Sequence, residues 1–101
     1  MKKYKMKESD LKSQIKDYLA RLGIFSFPIT QGLGSYRGAP DRIMFYDGKA
    51  YFLEIKLPDG RMSEHQLAFQ IQCGLDGIPY RMVRSIEDLE AILKEGRDNG
   101  K

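Results

Sequence analysis

Residues 41–57 read DRIMFYDGKAYFLEIKL, and this stretch decides the fold. Apolar and aromatic residues dominate on both sides of Asp47-Gly48, a dipeptide that suits the tight turn between antiparallel strands. The stretch therefore predicts a β-hairpin. Its second strand ends in Phe52-Leu53-Glu54-Ile55-Lys56, so two charged residues interrupt what otherwise reads as a buried strand. They require an explanation, because a buried charge without a partner costs several kcal/mol.

The segment before the hairpin predicts one helix, one strand and one loop. Residues 24–29, IFSFPI, read as a short strand, and the glycine-rich residues 30–40, TQGLGSYRGAP, read as a loop. Residues 8–23, ESDLKSQIKDYLARLG, predict a helix that Gly23 ends. Its inward positions, recurring at helical spacing, are Leu11, Ile15, Tyr18, Leu19 and Leu22.

The segment after the hairpin predicts a turn, a second helix, a last strand and a third helix. Residues 63–77 form the second helix, with Ser63 as its N-cap and Gln66 completing a capping box. Residues 80–84, YRMVR, form the strand, and residues 85–96 form a helix capped by Ser85. The inward positions of this last helix are Ile86, Leu89, Ile92 and Leu93.

The resulting order is αβββαβα. A sheet that contains a hairpin and receives its last strand through a helical crossover is mixed. We therefore predict an α/β fold in which helices pack on a mixed sheet, in three layers or nearly so.

The composition predicts one globular domain over residues 1–101, since 42% of the residues are hydrophobic and 31% are charged. The basic residues 1–7 fit either a flexible N-terminus or a contact to a nucleic-acid backbone, and residues 97–101 fit a disordered tail. The single cysteine, Cys73, excludes an internal disulfide and is interpreted as a core or boundary thiol. No apolar run approaches the ~20 residues of a membrane span, so we expect a cytoplasmic protein without a membrane partner.

The formal charge of +3 is compatible with a polyanionic partner but does not require one. The glycine-rich loop is either a plain connection or an edge that admits a DNA strand. The side chains predicted to contact nucleic acid are Lys12, Tyr36, Arg37, Arg42 and Arg61.

The hairpin brings candidate reactive groups together. Because strand side chains alternate, Glu54 and Lys56 share one face, where they either pair with each other, reach water or bind a ligand. Asp41 begins the hairpin's first strand, and the hairpin folds it back toward Glu54. Two carboxylates near one ammonium suit a hard cation such as Mg²⁺, with the backbone carbonyl of Ile55 as a further ligand. The alternatives are a simple salt bridge for Glu54 and Lys56, and a turn or cap role for Asp41.

Two further polar residues have a structural and a functional interpretation. Glu8 falls in the apolar stripe of the first helix and points at the core, where it would have a site role, or else it is a first-turn glutamate favoured by the helix dipole and exposed to solvent. Gln66 serves the capping box, and it would also place an amide near the metal site.

Together, Pro40-Asp41, Glu54-Ile55-Lys56 and Gln66 resemble the motif of the PD-(D/E)xK nuclease superfamily. More narrowly, residues 38–93 are similar to the virus-type replication-repair nuclease (VRR-NUC) domain in its stand-alone phage or prophage form, and with the first helix the resemblance covers nearly the whole chain. It implies that Asp41 and Glu54 bind Mg²⁺ or Mn²⁺. It also implies that Lys56 positions or activates water, that Gln66 belongs to the active site, and that Glu8 completes that site.

The resemblance also implies an activity, namely metal-dependent hydrolysis of DNA phosphodiester bonds. Stand-alone members of the family look like Holliday-junction resolvases, so we expect a homodimer that acts on branched DNA. The alternatives are a flap or general endonuclease, and a non-catalytic nucleic-acid-binding module of the same fold. A third alternative is an interaction protein whose charges form an internal salt bridge.

Overall fold

The computed structural model describes residues 5–99, and these residues follow the predicted order of elements. The α/β class and the order αβββαβα are therefore confirmed. The bounds are α1 Glu8–Arg21, β1 Ser26–Pro28, β2 Arg42–Tyr46, β3 Lys49–Ile55, α2 Glu64–Asp76, β4 Tyr80–Val83 and α3 Ile86–Asn99.

The strands form one mixed sheet in the order β1-β2-β3-β4. The first three strands are antiparallel neighbours, whereas β4 runs parallel to β3 after the α2 crossover. The hairpin turn is the predicted one, because Asp47 and Gly48 both have positive φ, at 50° and 78°. The turn fixes the register of β2 against β3, in which Arg42 lies opposite Leu53. The start of β2 and the end of β3 therefore meet at one edge of the hairpin.

The main core lies between one face of the sheet and the helices α1 and α3. It takes alternate residues of β3, so Tyr51, Leu53 and Ile55 are buried there. The other members of this core are Leu11, Ile15, Leu19, Met44, Val83, Leu89, Ile92 and Leu93.

The opposite face of the sheet carries α2. The Phe69 ring of α2 lies 5.4 Å from the ring of Phe52 and 6.2 Å from that of Tyr80, measured between centroids. Cys73 is buried on the same helix, as predicted. Helices therefore pack on both faces of the sheet, and the alternation along β3 places Glu54 on the α2 side.

Both predicted N-caps are formed. The Ser63 hydroxyl accepts a 3.2 Å hydrogen bond from the Gln66 backbone N–H, and the Gln66 side-chain oxygen accepts a 2.8 Å bond from the Ser63 N–H. At α3 the Ser85 hydroxyl accepts a 3.1 Å bond from the Asp88 N–H. The helices α2 and α3 therefore begin at serines whose hydroxyls accept hydrogen bonds from the first free backbone N–H groups.

The structure differs from the predictions at a few places. Leu22 is exposed instead of inward, because α1 ends at Arg21 and Gly23, with φ 72°, turns the chain away. β1 has only three residues. Residues 97–99 continue α3 and do not form a tail, whereas residues 1–4, 100 and 101 lie outside the described residues. In residues 5–99, no helix combines the length and apolar character that crossing a membrane would need.

Candidate active site

A cleft of about 340 Å³ opens where β2 begins and β3 ends. It is lined by side chains from α1, from the loop before β2, from β3 and from the first turn of α2. The five residues predicted to carry the chemistry all line this cleft: Glu8, Asp41, Glu54, Lys56 and Gln66.

Asp41 is held rigidly by the two neighbouring strands. Its backbone N–H donates to the Leu53 carbonyl at 3.0 Å, and its carbonyl accepts from the Ile29 N–H at 2.9 Å. Its Oδ2 atom accepts a 2.7 Å bond from the Ile55 N–H. The N–H and C=O of a strand residue point to the same side, so the Ile55 carbonyl lies on the Asp41 side of β3, where it was predicted to act as a ligand.

Glu54 is a buried carboxyl, with only 1% of its surface exposed. Its Oε2 atom accepts a hydrogen bond from the Gln66 amide, and its Oε1 atom accepts one from the Tyr80 hydroxyl, both at 3.3 Å. Glu54 and Lys56 do not form an ion pair in the described part of the chain. The simple salt bridge that the sequence left open is therefore not formed.

Burial raises the pKa of Glu54, and hydrogen bonding with Asp41 and repulsion by its charge raise it further, to about 8. The charge of Lys56 and the Tyr80 hydroxyl act in the opposite direction. The pKa of Tyr80 is raised as well, first by burial and then by Glu54. A charged Glu54 is therefore repelled by the neighbouring Asp41 carboxylate, and a cation between the two carboxyls would relieve this repulsion.

Gln66 completes the predicted capping box and also places its amide against Glu54. Its Oε1 atom completes the capping box with Ser63, and its Nε2 atom donates to Glu54. One side chain thus fixes the start of α2 and orients the buried carboxyl. Glu54 is reached from α2 by Gln66 and from β4 by Tyr80.

Lys12 lies in the cleft, although the sequence suggested a contact to nucleic acid. Its Nζ atom is 2.9 Å from Asp41 Oδ1 and 3.5 Å from Glu8 Oε2. Burial lowers the pKa of Lys12, but the bond to Asp41 and the charges of Asp41 and Glu8 outweigh this and raise it. Glu8 is the first residue of α1 and faces the cleft, half-exposed, instead of the core.

The other predicted nucleic-acid contacts have different environments. Arg42 is only 7% exposed, and its Nη1 atom donates to the Ser26 hydroxyl at 3.0 Å, so the prediction of a surface contact does not fit its position. Burial also lowers the pKa of Arg42. Arg37 is exposed and lines the cleft, and Arg61 is exposed on the turn before α2. Tyr36 is 74% exposed on the loop before β2.

Sequence reasoning missed two residues that shape the site. Tyr80 reaches Glu54 because the parallel register places it opposite Phe52, on the α2 side of the sheet. Only the position of β4 in the sheet would have revealed this contact. Gly38, with φ 84°, packs against the backbone of His65, where a Cβ atom would collide with the His65 carbonyl. This contact fixes the loop before β2 onto the first turn of α2, and no motif in the sequence indicated it.

The oxygen atoms of the cleft fit a hard divalent cation. Asp41 and Glu54 supply adjacent carboxyls, and the Ile55 carbonyl lies on the same strand edge. Within residues 5–99, no three His, Cys, Asp or Glu side chains form a tight cluster of ligands. Mg²⁺ is commonly held by one or two carboxylates and keeps several waters, so this donor set suits Mg²⁺ or Mn²⁺ better than a closed structural zinc site.

A comparison of the sequence with protein-family models found no matching family, and a comparison with curated proteins found no match. The resemblance of residues 38–93 to a nuclease domain therefore stays a prediction. The side chains of the cleft are the basis on which a function can be inferred.

Proposed function

We propose that the protein is a divalent-metal-dependent endonuclease that hydrolyses phosphodiester bonds of DNA in this cleft. One observation carries the proposal: Glu54 is a fully buried carboxyl placed beside the carboxyl of Asp41, without an ion pair of its own among residues 5–99. A charged carboxyl in this place destabilises the fold unless it takes up a proton or a cation binds there. A carboxyl in a cleft with a raised pKa, as at Glu54, is typical of catalytic sites.

The residues of the cleft can serve different roles in hydrolysis. Asp41, Glu54 and the Ile55 carbonyl would hold Mg²⁺ or Mn²⁺, which supplies a Lewis acid for the phosphate and lowers the pKa of bound water. Lys56 holds the attacking water in line and places a positive charge near the phosphate. Gln66 and Tyr80 keep the Glu54 carboxyl in one orientation through their hydrogen bonds. Arg37, at the rim of the cleft, faces the DNA backbone.

The alternatives differ in what they require of the cleft. An interaction protein with an internal salt bridge would need Glu54 and Lys56 to pair, and this pair is not formed. A non-catalytic binding module would bind DNA without cutting it. A flap or general endonuclease would use the same residues on a different DNA structure.

We also propose a cytoplasmic location, which fits both a DNA substrate and the single buried cysteine, Cys73.

A cleavage assay separates these alternatives. Labelled single-stranded, duplex, flap and four-way-junction DNA are incubated with Mg²⁺, Mn²⁺ or chelator, and products are resolved on denaturing gels. We expect cleavage only with the metal ions, fastest on the junction, and lost in Glu54→Gln. Lys49→Ala, at the exposed opposite end of β3, is the matched control and should cleave normally. Binding without cleavage would indicate the binding module, and cleavage in chelator would disprove the metal-dependent mechanism.

We further propose that the active form is a two-fold homodimer, because a branched substrate requires symmetric cuts on two strands. The candidate interface is the outer stripe of α2, made by Leu67, Ile71 and Leu75. These residues recur every fourth position, are all exposed, and lie away from Phe69 and Cys73, which face the sheet. An apolar helix stripe of this kind can pack against its own symmetry mate.

The dimer is tested by sedimentation in solution. Ile71→Lys should convert the dimer to a monomer and slow cleavage of the junction. The control Leu33→Lys changes a fully exposed leucine in the loop before β2, and it should leave the dimer intact. A wild-type chain that is monomeric with junction DNA bound would rule out the dimer.

A further inference from the structure

A second cavity, of about 450 Å³, lies beside the cleft and has aromatic walls. It is bounded by the loop before β2, by β3 and by one side of α2. The Tyr36 and Phe69 rings form a T-shaped pair at a centroid distance of 5.9 Å, and Phe69 forms a second T-shaped pair with Phe52 at 5.4 Å. Most of the Tyr36 surface is exposed, so one aromatic face is available to a ligand.

The aromatic cavity and the cleft share a wall. Arg37 and His65 line both of them. Gly38 fixes the loop that carries Arg37 against the backbone of His65, so the two side chains are held at one boundary. A ligand that places a phosphate in the cleft can therefore place its adjoining group in the aromatic cavity, with the Arg37 cation between them.

Polar groups stand along the rim of the same cavity. Four residues at helical spacing on one side of α2 line the cavity, namely the polar residues His65, Gln72 and Asp76 and the aromatic Phe69. The Gln72 amide donates a 3.0 Å hydrogen bond to Asp76 Oδ2. This leaves the Gln72 oxygen and the second Asp76 oxygen as acceptors at the end of an aromatic slot.

We propose that the aromatic cavity binds one unpaired base of the DNA substrate, next to the phosphate that lies in the cleft. The inference rests on the proposed function and deepens it by naming the substrate class, which is DNA with a nucleotide out of the base stack at the cleavage site. Aromatic side chains stack on bases of any sequence, and a pocket of this size exceeds the needs of one base. The acceptors on Gln72 and Asp76 favour bases with an exocyclic amine over thymine.

An extruded base also explains why branched DNA would be preferred. Taking a base out of a continuous duplex costs unpairing and unstacking, and the cost is least where the nucleotide is already unpaired. Bulges and flaps offer such nucleotides, and base pairs at a branch point open more easily than those inside a continuous duplex. The cavity would thus select the DNA structure, while the cleft performs the chemistry.

The test measures binding and needs no cleavage. Wild-type protein in chelator is titrated into duplex DNA that carries the fluorescent base 2-aminopurine as a single-nucleotide bulge, and into the same duplex fully paired. We expect stacking to quench the bulged probe but not the paired one. Tyr36→Ala should abolish the quenching and weaken binding of the bulged DNA about tenfold, while leaving paired duplex binding unchanged. Tyr36→Phe should behave as wild type.

The matched control is Phe25→Ala, which removes another exposed aromatic residue, one that stacks on Phe45 away from the cavity. Equal binding of bulged DNA by Tyr36→Ala and wild type, or equal loss in Phe25→Ala, would overturn the proposal.

A second measurement compares bulged cytosine with bulged thymine, and Asp76→Ala should remove the preference for cytosine. If quenching depends on Tyr36 but no DNA is cleaved with metal ions, the nuclease proposal fails and the base pocket stands. If DNA is cleaved but neither quenching nor binding depends on Tyr36, the base pocket fails and the nuclease proposal stands.

Discussion

The Oδ2 atom of Asp41 accepts a 2.7 Å hydrogen bond from the backbone N–H of Ile55. This bond continues the contact between the hairpin strands beyond the last paired residues, Arg42 and Leu53. One carboxyl oxygen of Asp41 is thereby committed to the fold, and the other, Oδ1, faces Lys12 in the cleft. One oxygen of Asp41 thus holds the hairpin strands and the other lies in the cleft, so substitutions there should affect both the fold and the cleft.

Lys56→Ala and Glu54→Gln are expected to abolish metal-dependent cleavage while the chain still folds and binds DNA. Glu54 has no ion-pair partner in the described structure, so its replacement by an amide leaves no buried charge behind. Circular dichroism, thermal unfolding and DNA binding measured beside cleavage provide the check. Cleavage at the wild-type rate in either variant would disprove the catalytic roles.

Mg²⁺ and Mn²⁺ are expected to raise the melting temperature, because a cation bound between the two carboxyls stabilises the folded state by mass action. Asp41→Asn should reduce this response, since it removes the negative charge of the Asp41 carboxylate in the cleft. Differential scanning calorimetry with metal or chelator measures both effects. Asp59→Asn, on an exposed turn, is the control and should respond as wild type. Identical melting temperatures with metal and with chelator would argue against a metal site.

Stability in chelator is expected to fall as the pH rises from about 4.5 to about 8. The pKa of Glu54 is about 8 in the folded chain against a usual 4.5, so in this window the folded state keeps a proton that the unfolded state has lost. The loss amounts to at most roughly 5 kcal/mol, and Glu54→Gln should remove it. Urea unfolding across this range tests the slope.

The control for this pH dependence is Glu95→Gln, which changes an exposed carboxylate on α3 and should keep the wild-type slope. A slope that Glu54→Gln leaves unchanged would show that another group causes it. Because protons and metal compete for Glu54, the stabilisation by Mg²⁺ should grow with pH.

Gly38→Ala is expected to destabilise the chain and to stop cleavage. Alanine would be strained at φ 84°, and its Cβ would collide with the His65 carbonyl, so the loop that carries Arg37 would move from α2. Gly34→Ala is a matched control, because Gly34 has a similar φ of 88° but open space around it. It should cost about 1–2 kcal/mol, the strain of a positive φ alone, and retain activity. Equal effects in the two variants would show that the contact with His65 is unimportant.

The sequence predicted the centre of the fold and of the cleft because one local feature determines both. The Asp47-Gly48 turn fixes the hairpin register, and this register alone brings Asp41 to Glu54. The capping residues Ser63 and Gln66 likewise act within one helical turn. Interactions of such short range can be derived from residue type and spacing.

The contacts that the sequence did not predict join elements distant in the chain. Arg42 is buried because β1, beyond a long loop, pairs with β2 and presents Ser26 to its guanidinium. Lys12 reaches Asp41 only because α1 packs beside the end of the hairpin. Tyr80 meets Glu54 only in the parallel register of β3 and β4. Each depends on how elements pack, which periodicity does not specify.

The Gln66 side chain makes two hydrogen bonds, one to the Ser63 N–H and one to Glu54. The first turn of α2 should therefore respond to changes at Glu54 in the cleft. Neutralising or occupying Glu54 changes the acceptor of the Gln66 amide, and the same side chain closes the first turn through the Ser63 N–H. Local opening of that turn and the state of the buried carboxyl are therefore thermodynamically linked. Amide hydrogen exchange at Ser63 and Gln66 would register events in the cleft without a substrate. The first turn of α2 thus provides a probe that lies one hydrogen bond from the buried carboxyl of Glu54.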